Sequence, residues 1–155
     1  MSKFTKQISA FVNQVSDALL KDQKKAIRKA LNESAKVVEQ TIKPQAPLLK
    51  SSTNFRQRGT VKNNIRHKTR VRKDGQSGFT VIRVMRTQKR RMARIGENTK
   101  DKTDPFYWWM LEYGTKKMEA RPFMEKGFKE SEPRAIEKAK AVYYEEMKKY
   151  KNARK

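Results

Sequence analysis

The sequence predicts an α+β fold, with N-terminal helices and a C-terminal helix packed on a small antiparallel β-sheet and long loops between them. Three observations lead there. Apolar residues recur three and four apart near both ends of the chain. Between Val61 and Arg86, apolar and charged residues alternate in two runs separated by Asp74-Gly75. Tyr107 to Tyr113 also alternate with period two, in the most aromatic stretch of a polar chain.

The first helical segment covers residues 1–43. Phe4, Ile8, Phe11, Val12, Val15 and Leu19 follow helical spacing, which resumes at Ala26, Ile27, Ala30, Leu31, Ala35, Val38 and Ile42. The polar run Lys21 to Lys25 fits one bent helix or two consecutive ones, and two are expected, the second from Gln23 to Ile42. It should stop before Pro44, because the residue preceding a proline is pushed out of the α region. Residues 44–60 are polar and irregular and read as a loop. Residues 61–86 read as a hairpin. Ile65, His67, Thr69 and Val71 share one face of the first strand, and Arg66, Lys68, Arg70 and Arg72 share the other. Phe79 to Arg86 returns as a β-branched strand. Residues 87–103 carry no periodicity and read as a basic arm.

Residues 104–115 are expected to be the core strand, stopped by Gly114-Thr115. Pro122 then pre-sets the first turn of a helix anchored by Phe123. Two helices are expected over 120–150, the second starting near Ser131 as N-cap, with Pro133 in its first turn. Consecutive strand residues point to opposite faces, so Trp108 and Trp109 cannot share one stacking platform. One is expected in the core and the other at a subunit interface.

The chain's 155 residues suffice for one domain with a modest core. Only 35% are hydrophobic and the mean hydropathy is −1.02, so that core is thin or completed by a neighbour. No cysteine is present, which excludes disulfides and thiol chemistry. No apolar run is long enough to span a bilayer and the first residues lack a signal-peptide pattern, so no membrane partner is expected. The net charge of +23 is concentrated. Between Lys43 and Arg94 there are 16 Lys and Arg against one acid, Asp74. Such a field favours a polyanion, either nucleic acid or an acidic protein surface.

Catalytic chemistry finds no constellation. His67 stands alone without Cys or carboxylate at ligand spacing, and no Gly-x-Ser-x-Gly turn or phosphate-cradling glycine loop occurs. Glu97, Asp101, Asp104 and Glu112 could in principle hold Mg²⁺ for a nuclease, but Glu112 has a structural use in pairing with Arg121 across the turn. No catalytic residue, metal, cofactor or small-molecule ligand is therefore expected. Arg66, Lys68, Arg70 and Arg72 of the hairpin, with Lys89, Arg90, Arg91 and Arg94 of the arm, suit non-specific contact with the phosphates of double-stranded DNA.

The run Glu112-Tyr113-Gly114-Thr115 followed by Ala120-Arg121-Pro122-Phe123 resembles the signature of the tail-component, or tail-completion, proteins of lambdoid long-tailed phages. Upstream, Ala46-Pro47, Arg58-Gly59-Thr60-Val61 and Asn64-Ile65 stand where that family carries an Ala-Pro and a Thr-Gly-x-Leu-x-x-Ser-Ile stretch. Arg58 replaces the threonine, and the Ala-Pro to Gly spacing is longer. The resemblance implies a non-enzymatic virion protein that joins tail to head at the neck, after assembly in the host cytoplasm. It further implies a homo-oligomeric ring beside the tail terminator, connector and tail tube. The alternative is a small basic protein that binds nucleic acid without sequence preference.

Overall fold

The computed structural model describes residues 3–54, 56–85 and 101–153, with side chains from residue 13 onward. Among these residues the order is α1 (Lys3–Gln45), α2 (Thr60–Asn63), β1 (Ile65–Val71), β2 (Gly78–Val84), α3 (Trp108–Tyr113) and α4 (Phe123–Asn152). The class is α+β as expected: long N- and C-terminal helices pack on each other and on a two-stranded antiparallel sheet.

The N-terminal segment is one helix, not two. Nothing between Lys21 and Lys25 breaks a helix, and each residue there except Asp22 is a good or fair helix former. The apolar stripe lapses because Lys24 lays its aliphatic stem against the hairpin turn at Gly75. Nor does the helix stop before Pro44. That proline sits in the last turn, where its missing N–H forfeits one bond and the helix ends a residue later.

The C-terminal segment is likewise one helix. Ser131 is not an N-cap. Its hydroxyl donates to the carbonyls of Gly127 at 2.7 Å and Phe128 at 3.1 Å, in the turn whose regular bonding Pro133 interrupts. Burial of Ser131 and Ala135 holds the helix together through the proline. The helices run antiparallel: Lys29 pairs with Glu146 at 2.7 Å, Arg134 reaches Thr41 at 3.2 Å, and Gln45 reaches Glu130 at 2.7 Å. The two helices come close at Gly127, where an added Cβ would lie 2.7 Å from Ile42 Cγ1 and 3.0 Å from Ile42 Cα. Glycine costs about 1 kcal/mol in a helix interior, and this crossing is what it permits.

The first strand begins at Ile65. Val61, expected in it, is buried in α2 instead, where Gly59 in the left-handed region turns the chain and Asn64 ends the turn. Asn64 is itself buried, and its amide donates to the carbonyls of Thr60 at 2.8 Å and Thr103 at 3.3 Å. The strands pair from Ile65↔Val84 to Val71↔Gly78. Their inner residues face α1, where Ile65 and Val84 join Val38, Ile42, Val61 and Phe123 in the core.

The expected core strand at 104–115 is a helix. Trp108 and Leu111, three apart, both reach the core from α3, with Tyr107 just before it. Short apolar runs satisfy both periods, and here Pro105 starts a helical turn by accepting the Trp108 N–H at 2.9 Å. The reasoning that put Trp108 and Trp109 on opposite sheet faces therefore fails. Both are half-buried on one short helix, and Trp108 packs on the core.

Candidate interaction surface

Two features stand out, a buried corner and an exposed face. The corner is built from the Glu-Tyr-Gly-Thr and Ala-Arg-Pro-Phe runs. Pro122 offers no side-chain cap to α4, so the first N–H groups of that helix would be orphaned. Glu112, arriving from α3, supplies the acceptor. Its Oε2 accepts from the N–H of Phe123 and of Met124, and its Oε1 from Glu125, each at 2.9 Å. A buried carboxylate thus caps the positive end of a helix eleven residues away, and Phe123 beneath it is buried. The expected Glu112–Arg121 ion pair does not form. Arg121 is exposed, and only its backbone N–H crosses the corner, donating to the Leu111 carbonyl at 2.7 Å.

Gly114 makes the corner possible. Its φ of 74° and ψ of −178° suit glycine alone, and a Cβ there would meet the Ala120 nitrogen at 2.8 Å and the Met118 oxygen at 2.9 Å. Thr115 and Met118 pair backbone to backbone and close the small loop between. Tyr113 points outward, 73% exposed, and Ala120 and Pro122 are exposed too. The corner is structural machinery with one projecting aromatic ring.

The exposed face is the outer side of the hairpin. Arg66, Lys68 and Arg70 stand in a row on β1, and Arg72 follows in the turn. On β2 the same side carries Phe79, Val81 and Arg83. Arg66 lies directly opposite Arg83, a like-charge pair that costs sheet stability on the order of 0.2–1 kcal/mol. Among the described residues none of these five cations makes an ion pair. Arg83 was not singled out from the sequence as part of this basic face, although the alternation of FTVIRVMR already placed it beside Phe79 and Val81. Lys89, Arg90, Arg91 and Arg94 lie outside the described residues, as does Glu97.

On the inner side His67 is half-buried and hydrogen-bonded. Its Nδ1–H donates to Glu39 Oε1 at 2.8 Å, and Lys43 donates to Glu39 Oε2 at 2.9 Å. Burial pushes the Glu39 carboxyl upward, but the hydrogen bonds from Lys43 and His67 and their charges outweigh it and hold the group below its usual value. Of the carboxylates considered for Mg²⁺, the three described ones, Asp101, Asp104 and Glu112, form no metal-ligating cluster. Asp101 accepts from Thr103 N–H at 2.8 Å and its hydroxyl at 2.6 Å, and Glu112 is consumed by α4. Among the described residues no cluster of three or more metal-ligating side chains occurs, and no helix is long and apolar enough to cross a membrane.

A family model described as "Bacteriophage HK97-gp10, putative tail-component" matches residues 6–114, well over half of the chain. The chain belongs to this HK97-gp10-like family. It is a family of phage structural tail components and not of enzymes. The match spans α1, the hairpin and α3, and ends at Gly114, so Ala120-Arg121-Pro122-Phe123 lies beyond it although it completes the same corner. No curated protein and no solved structure matches the chain.

Proposed function

We propose that this tail component works at the head-proximal end of the tail, where it oligomerises into a ring and turns the outer face of its hairpin toward the DNA. One observation carries the reading: five exposed cations, Arg66, Lys68, Arg70, Arg72 and Arg83, gathered on one face without ion-pair partners among the described residues. Charge held this way serves a polyanion outside the molecule better than it serves the fold. Side chains on one strand face repeat every ~6.8 Å, so the row meets a backbone of regularly spaced phosphates without reading bases. A net charge of +23 also opposes packing against further copies, which favours ring assembly on a template that supplies counter-charge. The tail terminator, connector and tail tube are the proposed protein neighbours. Trp109 and Tyr113, half-buried and exposed beside each other on α3, are proposed contacts within the ring.

The test is complementation of a phage lacking this gene by a variant with Arg66, Lys68, Arg70 and Arg72 changed to Glu. Particles that assemble but lose DNA or infectivity are the expected result. Wild-type assembly, DNA retention and titre would overturn the proposal.

A further inference from the structure

The two sides of the hairpin's inner face differ. On the β1 side His67 bonds to Glu39 and lines a polar recess with Arg28, Glu33 and Lys36 of α1. On the β2 side a groove of about 290 Å³ opens between the sheet and α4, with α1 as its floor. Leu31 and Ala35 form that floor, Thr80 and Ile82 one wall, and Phe128 and Ile136 the other. Phe128 and Ile136 are 50% and 48% exposed, unusual for large apolar side chains so near the core.

The backbone along the groove is unfinished in the same place. Met85 N–H donates to the Asn64 carbonyl at 2.8 Å, and Arg72 N–H donates to the Ser77 carbonyl at 2.9 Å. With the observed register, these bonds assign the ladder's hydrogen-bonded pairs to Arg66↔Arg83, Lys68↔Val81 and Arg70↔Phe79. Gly78, Thr80, Ile82 and Val84 therefore turn their N–H and C=O groups away from β1. Among the described residues β2 pairs with β1 alone. A two-stranded sheet is the smallest and least stable kind, and an open edge is a template for another strand.

We propose that this edge and groove receive an extended segment of a neighbouring tail protein, added as a third strand beside β2. Its backbone bonds to Thr80 and Ile82. Alternate side chains, which are apolar, drop between the sheet and α4, and the others, which are acidic, lie outward beside Arg83 and one strand from Arg66, Lys68 and Arg70. The charge selects the occupant. A second copy would bring its own basic strands, in which FTVIRVMR places arginine where a carboxylate is wanted. The inference rests on the tail-component reading for the source of the segment, and its test does not use the virion.

The probe is a fluorescein-labelled, acetylated octapeptide alternating valine and glutamate. The control is its isomer with all valines before all glutamates. Binding to the full chain is followed by anisotropy, with amide hydrogen exchange read at Thr80 and Ile82. The alternating peptide should bind at least about 10-fold tighter than the block isomer and slow exchange at both amides. Thr80→Pro removes an edge donor at a position where proline is tolerated, and Ala139→Glu places charge on the α4 wall. Each should abolish the preference, and Ala139→Glu keeps the test valid if the proline variant misfolds. Equal binding of the two peptides, meaning attraction by charge alone, would overturn the proposal. So would protection on α1 and α4 without protection of Thr80 and Ile82. Either failure leaves the phage complementation result untouched.

Discussion

Replacing Glu112 should do more damage than replacing any other charged side chain of the corner. Its two oxygens accept three N–H groups at 2.9 Å, one fully buried at Phe123 and two partly buried at Met124 and Glu125. A hydrogen bond to a charged group contributes about 1.5–3 kcal/mol, and a buried donor left without a partner costs about 1–3 kcal/mol. Water can reach two of the three donors in Glu112→Ala, so the expected loss is about 3–5 kcal/mol rather than the full sum. In Glu112→Gln the carbonyl oxygen keeps the Phe123 and Met124 bonds, but the amide nitrogen faces the Glu125 N–H, and about 2 kcal/mol should be lost. Urea denaturation followed by helical circular dichroism and tryptophan fluorescence reads both. Arg121→Ala is the contrasting variant: with no ion pair to lose, it should change stability by no more than about 0.5 kcal/mol. A Glu112→Ala protein within about 1 kcal/mol of wild type would refute the capping role. An Arg121→Ala loss as large as that of Glu112→Ala would restore the ion-pair account.

Gly127→Leu should destabilise by about 1–3 kcal/mol, because its branch must enter space held by Ile42 while improved helix propensity returns only about 1 kcal/mol. A thermal midpoint equal to wild type would show that α1 and α4 can separate freely there. Gly114→Ala should cost roughly 1–3 kcal/mol or more, from backbone strain and collision with Ala120, measured by the same melt. The Glu39 carboxyl is held below its ordinary value of 4.5, so its contribution is complete above that pH and fades as pH falls through the lowered folded value. Glu39→Gln should therefore flatten the loss of stability as pH falls below that ordinary value, and an unchanged acid profile would contradict it.

What could be read from the sequence follows from how local each signal is. The hairpin's faces were legible because alternation and an Asp-Gly turn are both short-range, and Arg66, Lys68 and Arg70 came out on the side expected. Both long helices were legible as helices but were each divided in two. Pro133 looks like a start signal until the burial of Ser131 and Ala135 is known, and that burial is tertiary. The aromatic run at Tyr107–Tyr113 was misjudged for the same reason: Trp108 and Leu111 suit either period, and only the location of the core decides. The motif residues were recognised, but their chemistry was not. A carboxylate serving a helix eleven residues on leaves no mark except Pro122, which announces a helix start without a cap of its own. The groove beside β2 left no sequence signal, because its lining comes from three separated elements.

The most direct test of the central claim is the salt dependence of binding to a short DNA duplex, compared between wild type and the Arg66→Glu, Lys68→Glu, Arg70→Glu, Arg83→Glu variant. Each phosphate contact contributes about 0.9 to the slope of log K against log salt, so four contacts amount to about 3.6. The difference between the two proteins isolates the sheet face from the rest of a +23 chain. A slope that becomes shallower by about that amount in the variant places the hairpin against the phosphates. Equal slopes would mean that this face does not touch DNA.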